Sequence, residues 1–100
     1  MFLLQRSDKP TKKFMVSVVA GNKVKTIYFG AAGYEDYTIH KDPERMKRYV
    51  QRHASREDWS SSGVMTPGWW SRWLLWNKPS LQASLTDLRS KLPGNLVARL

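Results

Sequence analysis

Four tryptophans stand within eight residues, in Gly68-Trp69-Trp70-Ser71-Arg72-Trp73-Leu74-Leu75-Trp76-Asn77-Lys78-Pro79, and a fifth, Trp59, precedes them. Each indole brings a large apolar area and one N–H that needs a partner. A chain of 100 residues has one modest core, so these rings either fill it or form a surface for something else. On a helix, Trp69, Trp73 and Trp76 share a face, Trp70 and Leu74 share a neighbouring one, and Leu75 lies roughly opposite Trp73. Apolar side chains then cover most of the circumference, with Ser71 and Arg72 as the main relief. Such a helix has to be covered on several sides. The segment is therefore expected to be chiefly core. The excess is expected to anchor a protein interface, a use in which Trp and Arg are the enriched types. The candidates are Trp69, Trp70, Arg72, Trp73 and Trp76. Base stacking is the weaker alternative, because the cluster holds only Arg72 and Lys78 as cations.

The rest of the chain must supply the cover. Phe14 to Val19 and Val24 to Phe29 are rich in β-branched and aromatic residues, and Gly21-Asn22 between them suits a type II′ turn. That hairpin sets Val18 across from Lys25, Val16 from Ile27 and Phe14 from Phe29. Tyr37-Thr38-Ile39-His40 can add a third strand. A helix is predicted over 42–56: Asp42 is a good N-cap, Pro43 suits the first helical position, and Met46, Tyr49, Val50 and His53 form an apolar stripe. Thr66-Pro67 repeats that start for a short helix over 67–77, and Ser80 caps a last helix over 80–92 with Leu81, Leu85, Leu88 and Leu92 along one seam. The fold class is α+β: an N-terminal β-hairpin, extended to three strands if Tyr37–His40 joins it, packed against about three helices. Residues 13–92 form the single domain. Residues 1–12 read as an arm, either loose or with its apolar tip of Phe2, Leu3 and Leu4 docked on a neighbour. Residues 93–100 read as an apolar C-terminal tail.

Charge narrows the partner. Lys plus Arg is 17 against 8 acidic residues, a net charge of +9, which favours a polyanionic neighbour. Arg45, Arg48, Arg52 and Arg56 form a stripe beside the apolar one on the 42–56 helix and are the best candidate anion surface. Two outcomes are open for them: a phosphate backbone, or internal pairing with Glu35, Asp36, Glu57 and Asp58. Lys12, Lys13, Lys23 and Lys25, with Lys9, lie on the arm and hairpin and offer a second basic rim. There are no cysteines, which excludes a disulfide framework, a thiolate nucleophile and a cysteine-based zinc site. His40 and His53 are the only histidines. No nucleophile-and-base set, phosphate loop or metal-ligand spacing is present, and Asp36, His40 and Asp42 are only near in sequence. An enzyme, a cofactor and a small-molecule substrate are therefore not expected. No stretch approaches the length of a membrane span, and the apolar start is too short for a signal peptide.

An ordered string of motifs remains. Phe29-Gly30-Ala31-Ala32-Gly33-Tyr34-Glu35-Asp36-Tyr37-Thr38-Ile39-His40-Lys41-Asp42-Pro43-Glu44-Arg45, then Tyr49, Arg52-His53, Arg56-Glu57-Asp58-Trp59, then Trp70-Ser71-Arg72-Trp73-Leu74-Leu75-Trp76-Asn77-Lys78-Pro79-Ser80-Leu81, resembles a family of small uncharacterised proteins. Large DNA viruses of algae and amoebae, the nucleocytoplasmic giant-virus group, encode that family. The resemblance spans residues 26–88 and is weakest at Gly63 to Gly68. It implies a viral setting and carries no functional residues across. Within that setting the expected function is a structural virion component, a minor capsid or cementing protein that bridges capsid subunits. Its expected location is the virion, and the host cytoplasm or nucleus during assembly. The alternative is a basic nucleic-acid-binding protein that packages or guides viral DNA.

Overall fold

A computed structural model describes all of residues 1–100. The hairpin is present in the expected register. Strand β2 (Lys12–Ala20) pairs antiparallel with β3 (Lys23–Ala31), with Val18 opposite Lys25, Val16 opposite Ile27 and Phe14 opposite Phe29. Gly21 takes φ +62°, and Asn22 has no positive φ. The positive φ thus falls at the first turn position alone, as a type II′ turn requires.

The two chain ends are not arms. Phe2–Arg6 is a strand, β1, antiparallel to β2, and Leu96–Arg99 is a strand, β4, parallel to β1. The sheet order is β3-β2-β1-β4, so the N-terminal strand is internal. Local polarity could not show this, because the partners of β1 lie elsewhere in the chain. Phe2 and Leu4 alternate inward and are buried. They become core only once β2 and β4 flank them.

Between β3 and β4 the chain crosses one face of the sheet as helices. The expected third strand is instead a one-turn helix, α1 (Tyr37–His40). Asp36 decides this locally: its carboxylate accepts from the Thr38 N–H at 2.9 Å and caps the turn. Helix α2 (Pro43–His53) starts at Asp42 as predicted, with Pro43 in its first turn, and stops short of residue 56. A 3₁₀ turn at Ser61–Gly63 leads to α3 (Pro67–Trp70), which runs on into a π-helical turn, Ser71–Leu75, closed by Trp76 N–H to Ser71 O at 3.1 Å. Helix α4 (Leu81–Arg89) is capped by Ser80, whose hydroxyl accepts from Ala83 N–H at 3.1 Å. The molecule is thus α+β, with about four short helices on a four-stranded sheet.

The core lies between the helices and the inner sheet face. Phe2, Leu4, Phe14, Val16, Ile27, Phe29 and Leu96 come from the strands, and Val64, Trp69, Trp70, Leu74, Leu75 and Leu88 from above. Trp70 sits at the centre, 5.9 Å from the Phe2 ring and 6.1 Å from Phe29, with its N–H donated to Val64 O at 2.9 Å. Trp69 lies edge-on to it at 5.0 Å. Fully burying two indoles is worth on the order of 10 kcal/mol before the entropy of ordering them. The Leu seam closes the core: Leu81, Leu85 and the buried Leu88 lie on α4, which ends at Arg89 and not at residue 92 as expected, and Leu92 packs against the cluster from beyond the helix.

Candidate functional site

The tryptophan segment is the first candidate surface, and the structure takes most of it away. Trp69 and Trp70 have no exposed area, so neither can anchor a partner. Helix α3 holds both indoles inward, and the wider π turn that follows leaves Trp73 and Trp76 half-buried at the rim. Trp73 donates its N–H to Trp59 O at 3.0 Å. The Arg72 guanidinium lies 4.5 Å from the Trp73 ring centre and 5.6 Å from that of Trp59, and it donates to the carbonyl of Trp76. Lys91 lies 4.4 Å from the Trp73 ring. Arg72 is therefore an internal clamp, and burial lowers its pKa from the ordinary arginine value. Trp76 stacks flat on Tyr49 at 4.5 Å. Phe2 and Leu4, expected at a docking tip, are core, and only Leu3 faces away from the helices, half-buried.

The uncovered side of the sheet is a surface that sequence reasoning missed. In the observed register Leu3, Gln5, Met15, Ser17, Val19, Val24, Thr26, Tyr28, Val97 and Arg99 alternate onto it. None of them is buried, and Val19, Val24 and Val97 are exposed. The β1–β2 loop shields only Tyr28: the Tyr28 hydroxyl donates to Asp8 at 2.8 Å, and Lys9 lies 4.1 Å from the ring. That hydrogen bond raises the Tyr28 pKa. The alternation of the hairpin signalled half of this face. The other half was hidden while residues 1–12 and 93–100 read as tails.

The basic residues separate into three groups. Arg45, Arg48, Arg52 and Arg56 are all exposed. The ion pairs of the molecule are Lys13–Asp36, Lys47–Glu44 and Lys91–Asp87, so none of the four meets a carboxylate. Two of the four expected neutralisers are engaged elsewhere, and Glu35 and Glu57 form no ion pair. Asp36 holds Lys13 at 2.7 Å, and Asp58 accepts from Ser60 and Ser62, which keep its carboxyl below the ordinary range. Arg56 donates to Arg52 O at 3.2 Å. Lys13, offered as an anion ligand, is half-buried and committed to Asp36 and to the Tyr34 carbonyl. Lys12 is exposed at one end of β2, and Lys23 and Lys25 flank the turn at the other. The ends of β2 are roughly 26 Å apart at about 3.3 Å per residue. The lysines therefore form no single rim.

A cleft of 390 Å³ opens between the β2–β3 end and α2. Tyr49 and His53, stacked at 4.3 Å, form its apolar wall. Lys12 and Lys13 line it together with Glu35, Asp36 and Glu57, and Lys13 is already paired with Asp36. Three carboxylates beside two lysines repel a phosphate, so the cleft is a poor anion site. Asp36, His40 and Asp42 each make a local structural hydrogen bond. Asp36 caps α1, Asp42 caps α2, and His40 accepts the Asp42 N–H on Nδ1 at 3.0 Å. No group of three or more His, Asp or Glu side chains could hold a metal ion. No helix is long and apolar enough to cross a membrane.

Comparison with known proteins gives one match. No curated protein and no solved structure matches the chain. The model of a family of unknown function, DUF5754, matches residues 3–53, from within β1 to the last residue of α2. The sheet hairpin, the capped α1 turn and the arginine helix fall inside that span, and the tryptophan segment falls outside it. The match covers half of the sequence, and the chain belongs to the DUF5754 family.

Proposed function

We propose that this chain is a structural, non-catalytic component of a large DNA virus particle, a minor capsid or cementing protein that bridges neighbouring virion proteins. The viral setting comes from the motif string over residues 26–88. The observation that carries the bridging role is the pair of unpartnered surfaces of unlike chemistry on different sides of the fold. One is the uncovered sheet face, where Leu3, Met15, Tyr28 and Val97 lie among Ser17, Thr26 and Gln5. The other is the arginine face of α2, which joins the helical layer through the Tyr49–Trp76 stack. A bridge needs two independent contacts, and a sheet covered on one side only offers a natural first one. The buried tryptophans contribute rigidity to this role, and no docking.

Cross-linking mass spectrometry on purified particles tests it. The protein is expected in the particle, with links from Lys9 on the sheet side reaching a neighbouring virion protein. Abundance in infected cells with absence from purified particles overturns the proposal.

A further inference from the structure

The arginine face of α2 is not explained by the fold. Of the eleven residues of α2, Tyr49 alone is buried. The helix adds one side chain to the interior and presents Arg45, Arg48 and Arg52 outward, with Arg56 just beyond its end. On a helical wheel the first three fall within about 60° of arc. With Arg56 they cover a length of roughly 16 Å at about 1.5 Å per residue. None is paired with a carboxylate. We infer that this face binds the phosphate backbone of nucleic acid, without reading sequence.

The composition of the face selects that partner over an acidic protein. Protein interfaces are built around a desolvated apolar or aromatic centre. Here the neighbours of the arginines include Glu44, Gln51 and Ser55, all exposed, and the adjacent rings, Tyr49 and His53, are committed to a stack that continues onto Trp76. A phosphate backbone needs no apolar centre. It needs spaced cationic forks, and guanidinium matches phosphate bidentately. The net charge of +9 adds a field of the same sign around the face. The cleft beside α2 does not compete, because its carboxylates oppose an anion.

The test uses the full chain and a fluorescent 20-base-pair DNA duplex, followed by anisotropy from about 50 to 200 mM salt. With three to four phosphates neutralised, log K is expected to fall against log salt with a slope of about −3 to −4. R48Q/R52Q is expected to flatten the slope by about 2 and to weaken duplexes of different sequence equally. Both positions are exposed, so the circular dichroism of the variant should match the parent. K23Q/K25Q, at the far end of the hairpin, is expected to keep the parental slope. Absence of binding at 50 mM salt overturns the inference. So does a slope that responds to K23Q/K25Q and not to R48Q/R52Q. Binding to polyglutamate as tight as to DNA also overturns it, in favour of an acidic protein. The inference rests on the bridging reading for the existence of this second surface and assigns nucleic acid to it, and the two fail distinguishably: a particle protein that ignores DNA loses only this assignment, and a DNA binder absent from particles loses only the virion role.

Discussion

Asp36 joins α1 to β2 through one carboxylate. One oxygen accepts from the Thr38 N–H and hydroxyl and so starts α1, and the other holds the Lys13 ammonium of β2 at 2.7 Å. Both side chains of this pair are largely withdrawn from water, at 15% and 4% exposure. A buried pair is worth little against an apolar replacement of both partners, but removing one strands the other. Asp36→Ala is therefore expected to lower stability by about 3 kcal/mol, read from the urea midpoint at constant m-value. A loss below ~1 kcal/mol would show that water reaches Lys13 freely. At this scale the sequence was only partly legible. Asp42 and Ser80 could be assigned as caps because a cap is a local hydrogen bond. The partner of Asp36 could not, because Lys13 is 23 positions away. A formal charge count treats Lys13 and Arg48 alike, and only the fold separates the neutralised cation from the free one.

Helix α2 buries one side chain, Tyr49. Tyr49 stacks on Trp76 at 4.5 Å with a 2° tilt, and His53 stacks on the outer side of Tyr49 at 4.3 Å. Tyr49→Ala is expected to raise amide exchange across Pro43–His53 toward that of a solvated helix, while β1, β2 and β3 keep their protection. Unchanged protection in α2 would mean that the helix is held by something other than this stack. The same ring sets an alkaline limit. Burial, with Glu57 next, pushes the Tyr49 pKa from the usual 10.0 to about 12. In the unfolded chain Tyr49 loses its proton near the ordinary value, so between these pH values the unfolded state binds fewer protons. Stability from this group is then full below pH 10 and falls as pH rises toward 12. Tyr49→Phe should remove the last step of the tyrosinate absorbance titration and flatten that fall. A parent and variant with the same alkaline slope would rule the assignment out. Periodicity made α2 and its Tyr49 stripe readable. It could not anticipate the π turn at Ser71–Leu75, which shifts the tryptophan faces. Nor could it see past the β-like composition of Tyr37-Thr38-Ile39, which the Asp36 cap overrides.

At the scale of the whole molecule the sheet order governs what can be removed. Parallel β4 touches the sheet only through β1, and β1 lies between β2 and β4. Neither terminal strand carries a local signal beyond a few apolar residues, which is why both read as loose ends. Their pairing is long-range, and a strand of four or five residues is defined by its neighbours. The two ends are nevertheless unequal. Deleting residues 1–6 removes Phe2 and Leu4 from the core, takes away the ring packed 5.9 Å from Trp70, and leaves β4 without a partner. Deleting residues 95–100 removes one buried residue, Leu96, and the bond from Arg89 to its carbonyl at 2.6 Å, and makes β1 an edge. The first truncation forfeits two buried apolar side chains outright, roughly 4–6 kcal/mol, and the β4 contacts with them. That is close to the whole stability of a small domain. It is expected to abolish cooperative unfolding and collapse amide dispersion in a ¹H–¹⁵N spectrum. The second should leave a folded, less stable protein that still unfolds in one transition. A cooperative transition in the chain lacking residues 1–6 would return those residues to the status of an arm, and would move the interior of this sheet to β2 and β3 alone.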